Sequence, residues 1–168
     1  MSARDAWEYA SFVITTLALP FAIVFFAWEQ RKERDNEEEE GYQLLSDAYN
    51  DFLKVVLANP DLHLRTNEPL QDPTTEQTER MLVIFDMLIS LFERAYLVAW
   101  KPKMSETEKR RWNSWDDYMR EWCHRDDFHA ALPQLLRGED PEFREYIVRI
   151  AEEEGGPVPS IPAAAEAA

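Results

Sequence analysis

MLVIFDMLISLFERAYLVAW, residues 81–100, is the stretch that decides between two folds. It is long and apolar enough to suggest a membrane-spanning helix, which needs about 20 residues. Against that stand Asp86, Glu93 and Arg94, because a charged side chain near a bilayer centre costs about 2.5–3.5 kcal/mol on insertion scales. The stretch therefore reads as the buried central helix of a water-soluble helical bundle. Its start is marked by Thr74 and Gln77, spaced as a capping box, and its stop by Lys101-Pro102, giving a helix from about Thr75 to Trp100.

Downstream, Ser105 and Glu108 form a second capping-box pattern. In the helix that follows, Trp112, Trp115, Met119 and Trp122 recur at intervals of 3, 4 and 3, gathering three indoles on one face. Such a face is either a wall of the core or an exposed aromatic surface for a partner or for lipid headgroups. Asp126 or Asp127 caps a short helix to about Leu136 that carries Phe128, Leu132 and Leu135. Asp140-Pro141 supplies a cap and a first-turn proline to a last helix ending near Glu154, with Phe143, Ile147 and Ile150 inward. Residues 155–168, GGPVPSIPAAAEAA, hold too little apolar surface to pack alone and read as a disordered tail or one that docks on a partner.

Upstream lies NPDLHLRTNEPLQDPTT, residues 59–75, whose three prolines make a long surface connection of the kind that is often functional or mobile. Before it, Tyr42, Leu45, Tyr49, Phe52 and Val56 form an amphipathic seam, widened by Leu44, Ala48, Leu53 and Val55. Residues 29–41 are polar all round and read as an acidic stalk.

ASFVITTLALPFAIVFFA, residues 10–27, carries no charge and is flanked by Trp7, Tyr9 and Trp28. It reads as a single transmembrane helix with aromatic residues at both interfaces. A signal peptide is the weaker reading, because no basic segment precedes the run and WEQRKERD offers no small-residue cleavage site. Arg31, Lys32 and Arg34 outnumber Arg4, which places the following domain in the cytoplasm. Ser11, Thr15, Ala18 and Ala22 share one face, and small residues there let another helix approach closely. Pro20 is expected to kink the helix.

The formal charge of −15 disfavours nucleic acid, which demands concentrated Lys and Arg. The single cysteine, Cys123, cannot form an internal disulfide. Only four glycines and few β-branched runs outside the anchor argue for an all-α chain. Glu121-x-x-His124 and Asp126-x-x-His129 are the best metal-ligand spacings, with Asp86 and Glu93 as further carboxylates. The match to a di-iron bundle is weak, since such sites draw acid/His pairs from two facing helices. Cys123 and His124 are adjacent and point about 100° apart on a helix, so they form no nucleophile pair. Neither a phosphate loop nor a zinc spacing is present.

Tyr42-x-x-Leu45-x-x-x-Tyr49-x-x-Phe52-Leu53, Asn59-Pro60-Asp61-Leu62, Phe92-Glu93-Arg94-Ala95-Tyr96-Leu97 and Trp112-x-x-Trp115-x-x-Tyr118-x-x-x-Trp122 occur in this order. Together they resemble a group of uncharacterised bacterial proteins with an N-terminal membrane anchor and a cytoplasmic helical domain. The resemblance covers roughly residues 42–150; it implies the architecture and carries no activity or site residues.

The expected fold is all-α: a transmembrane anchor (1–28), an acidic stalk (29–41), a helical bundle of about five helices (42–154) and a disordered tail (155–168). The expected function is a non-catalytic, single-pass accessory or scaffold subunit of a larger complex in the bacterial inner membrane, needing no cofactor or metal. The alternative is a membrane-tethered sensor or regulator that recruits a soluble partner. Expected partners are membrane protein subunits and the lipid bilayer, with no nucleic acid; a homo-oligomer is compatible. The candidate surfaces are Ser11, Thr15, Ala18 and Ala22 for membrane-helix packing, and Trp112, Trp115 and Trp122 for a partner.

Overall fold

A computed structural model describes residues 3–66 and 69–159, with the side chains of residues 3–19, 21 and 34–37 outside the described set. Five α-helices and no strand occur among the described residues: α1 (Ala3–Ala58), α2 (Thr75–Ala99), α3 (Glu106–Cys123), α4 (Asp126–Leu135) and α5 (Pro141–Gly155). A 3₁₀ turn, Pro60–Leu62, follows α1. Helix α1 is uninterrupted through Pro20 and Gly41. The chain divides into two compact units, Met1–Gln43 and Leu44–Ala168, so α1 contributes to both.

In the Met1–Gln43 unit, every described side chain from residue 22 to residue 33 is exposed. Among the described residues no helix is long and apolar enough to cross a membrane. Most of the apolar stretch 10–27 lies outside the described side chains.

The Leu44–Ala168 unit is built around α2. Met81, Ile84, Phe85, Leu88, Ile89, Leu91, Phe92, Ala95 and Tyr96 are all buried, a spacing of 3 and 4 that puts one face of the helix out of water. Helices α3, α4 and α5 all pack against α2. Helices α2, α3 and α5 start where the sequence supplies an acceptor for the orphan amides, whereas α4 does not: its N-cap is Arg125, without a side-chain cap bond, and Asp126 and Asp127, expected to cap it, lie inside its first turn. The Thr74 and Ser105 hydroxyls accept from the amides of Gln77 and Glu108, whose side chains reach back to complete both capping boxes. Asp140 accepts from the amides of Glu142 and Phe143, with Pro141 in the first turn.

Aromatic rings knit the core. Tyr49 meets Trp115 edge to face at 5.7 Å and stacks on Tyr118 at 4.3 Å. Phe85 meets Phe128 at 5.1 Å. Trp122 takes the edges of Phe52 and Phe85 at 5.7 and 6.3 Å. Of the expected seam of α1, Leu45, Tyr49, Phe52 and Val56 are buried while Tyr42 is only half-buried and lies in the other unit, and Ala48, Leu53 and Val55 pack against the core partly buried. Leu44 departs from expectation: it is 63 % exposed, because it stands about 100° from Leu45 at the start of the seam.

The tail also departs in part. Val158 packs against the core, and the His129 ring nitrogen Nε2 lies 3.0 Å from the Gly156 carbonyl oxygen. A Cβ at Gly155 would lie 2.8 Å from the His129 ring, so a larger residue there would have to displace that ring. Residues 160–168 lie outside the described residues.

Trp115 is 3 % exposed, so Trp115→Ala is expected to cost about 3–5 kcal/mol of folding free energy. Urea unfolding followed by circular dichroism measures this; a loss below about 1 kcal/mol would contradict a core role.

Candidate functional site

The three indoles marked as a possible partner surface stand inside the bundle: Trp112, Trp115 and Trp122 are 5, 3 and 1 % exposed. The 3-4-3 spacing gathers them on one face of α3, but that face meets α1, α2 and α5 rather than solvent. The Trp112 N–H donates to the Tyr146 hydroxyl at 3.1 Å, and Tyr146 donates to Asp116. The Trp122 N–H, near the Tyr49 hydroxyl, has no acceptor in hydrogen-bond geometry. These side chains are therefore a wall of the core, and a partner surface must be sought elsewhere.

Of the four small residues proposed to pack a membrane helix, Ser11, Thr15 and Ala18 lie outside the described side chains, and Ala22 is exposed.

The sequence's metal-ligand candidates are dispersed into other contacts. Glu121 pairs with Arg65 at 3.0 Å, His124 lies 3.7 Å from Glu154, and His129 faces Gly156. Among the described residues no group of three His, Cys, Asp or Glu side chains is placed to hold a metal ion. Cys123 is fully buried, and desolvation, aided by the charge of Glu154, pushes its thiol up to about 12. It therefore carries almost no thiolate at neutral pH.

Two polar clusters were not legible as such in the sequence. The first staples the long connection to the bundle. Arg125 is 4 % exposed; its guanidinium pairs with Asp127 at 2.6 and 3.0 Å and donates to the carbonyls of His63, at 3.1 Å, and Thr66. Arg80 holds the other end, reaching Asp61 at 2.6 Å and Asn59 at 2.9 Å. Leu62 and Leu64 are buried between these anchors. The Arg-Asp-Asp run at 125–127 was readable as a helix start, but only the fold brings it to the carbonyls some sixty residues earlier.

The second cluster is a carboxyl pair. Gly138, with φ of +88°, turns the chain after α4, a conformation glycine adopts without the Cβ penalty. The turn brings Glu139 against Glu93 of α2, whose Oε1 accepts the amide of Asp140 at 2.5 Å. Burial first, then the hydrogen bond to Glu93 and the negative charges of Glu93 and Asp86, push the Glu139 carboxyl up to about 7. Two carboxylates at this range cannot both ionise freely, so below that pH Glu139 is protonated and donates to Glu93.

Comparison with protein-family models, with curated proteins and with solved structures finds no match to this chain.

Two outcomes follow. A folded pKa raised to about 7 from an unfolded value near 4.5 contributes stability that is fully present below about 4.5 and is lost as pH rises through about 7. Thermal unfolding should accordingly show a lower Tm at pH 8 than at pH 5.5, and Glu139→Gln, which keeps a donor and cannot ionise, should flatten that fall. Arg125→Met leaves two loop carbonyls without their donor, and should cost about 3–5 kcal/mol and speed proteolysis within residues 60–74; unchanged cleavage would contradict the staple.

Proposed function

We propose that the chain is a non-catalytic, single-pass membrane protein, with an anchor at 1–28, an acidic stalk at 29–41, a bundle at 42–154 and a tail beyond. It acts as an accessory or scaffold subunit of a larger complex in the bacterial inner membrane.

The observation that carries this reading is the exposure at the end of the apolar stretch. Ile23, Val24, Phe25, Phe26 and Trp28 are 61, 68, 60, 60 and 59 % exposed. Residues 23–26 are consecutive, and successive positions on a helix turn by about 100°, so the exposed apolar surface surrounds the axis. A docked partner covers one stripe of a helix; hydrocarbon covers all sides. Removing each such side chain from water is worth about 1.5–3 kcal/mol.

The flanking residues support the same reading. Lys32 lies 5.7 Å over the Trp28 ring, an aromatic and basic pair suited to the interface. The basic residues Arg31, Lys32 and Arg34 favour a cytoplasmic bundle. Ser11, Thr15, Ala18 and Ala22 then form the stripe that receives a helix of another subunit. The alternative, a tethered regulator that recruits a soluble partner, would use the bundle instead.

Fractionation of expressing cells tests the tether: the full chain should stay with membranes through high salt and alkaline carbonate, and release into the soluble fraction would overturn it. Protease added outside intact cells should spare the bundle. Purification in mild detergent should yield a co-purifying membrane protein whose yield drops with Ala18→Leu, and crosslinks confined to the bundle would favour the regulator.

A further inference from the structure

We propose that the free face of α2 pairs, antiparallel, with the same face of a second copy of this chain, the two-fold axis passing close to Ser90. Opposite its buried face, α2 exposes Val83, Met87, Leu97 and Val98 to 59, 44, 59 and 53 %. Asp86, Ser90 and Arg94 are exposed with them. At 100° per residue all seven fall within an arc of roughly 120°, the width of a packing stripe.

The arrangement of this arc is what identifies its occupant. Val83 stands seven residues before Ser90 and Leu97 seven after it; Asp86 stands four before and Arg94 four after. A two-fold axis at Ser90 therefore lays the face on itself, Val83 against the second copy's Leu97 and Asp86 against its Arg94, each contact made twice. This self-complementarity is the condition for an isologous interface. The small Ser90 side chain lets the backbones approach at the axis. Asp86 and Arg94 cancel within the arc on a chain of net charge −15, while the half-exposed Glu93 and Glu139 border it at the Asp86 edge. Among the described residues neither Asp86 nor Arg94 has an ion-pair partner of its own. A bilayer surface fits poorly, since it would have to desolvate both charges unpaired. The area is small, on the order of 1,000 Å² or less over both copies, so the pair belongs to the weak class.

Pairing through α2 is independent of whether α1 lies in a membrane. The test is a charge-reversal cycle on the full chain in mild detergent, read by sedimentation over a range of concentrations. Wild type should associate reversibly to a dimer. Asp86→Arg or Arg94→Asp alone sets like charges against each other at both contacts and should raise the dimer Kd about tenfold or more. The double variant should return it to within about twofold of wild type. A wild-type monomer at all concentrations overturns the proposal, as does a dimer indifferent to the single reversals, which is held elsewhere. Loss that the double variant fails to restore also overturns it and points to an unlike partner or lipid. All positions are exposed, so unchanged helical circular dichroism and a single cooperative melting transition confirm folding, and unchanged membrane retention separates this outcome from that of the tether.

Discussion

The buried face of α2 is the surface on which the helices of the Leu44–Ala168 unit find their places. Leu88, Ile89, Phe92 and Ala95 are completely buried, and removing side chains of this size from water supplies the main favourable term in folding. Because α3, α4 and α5 all pack on this one helix, their sequences need only supply an apolar stripe each. The precise placement then comes from ring contacts such as Phe85 on Phe128 and Tyr96 on Trp112.

The polar groups that accompany this burial are handled in two ways. At helix starts they are satisfied locally, within a few residues, by Thr74, Ser105 and Asp140. At connections they are satisfied from far away: Arg125 serves the carbonyls of His63 and Thr66, and Glu93 serves the amide of Asp140. A buried guanidinium is costly unless fully paired, and Arg125 meets that condition through Asp127 and the two carbonyls. The carboxyl pair at the α4–α5 turn carries a different burden, since Glu139 keeps its proton up to about 7 and ties the turn to α2 in its protonated form.

The division of the chain also bears on function. Apart from Leu44 and Leu57, the large exposed apolar residues of the described surface fall into two groups. Those at 23–28 surround a helix axis, whereas those of α2 lie within one arc. Neither set resembles a catalytic constellation. The buried thiol of Cys123 and the dispersed acid and histidine residues around it are taken up by packing and ion pairs.

Local signals were legible in the sequence because they operate over a few residues. The capping boxes, the proline stops and the 3-4 spacing of apolar residues depend only on helix geometry, and they place the starts of α2 to α5 and the ends of α2, α4 and α5 within a residue or two of the observed bounds. The charges at 86, 93 and 94 marked α2 as a bundle helix for the same reason, since their cost in hydrocarbon is a property of the side chains themselves. Whether the tryptophan face of α3 met core or solvent was decided only by tertiary structure, because periodicity identifies a shared face and not what covers it. The same holds for Leu44, left exposed beside a buried seam, for Val158, drawn onto the core from a tail that looked unable to pack, and for Glu139, whose proton depends on a neighbour 46 residues away. Burial, desolvation and long-range hydrogen bonds depend on distances between segments, and those distances exist only once the chain has folded.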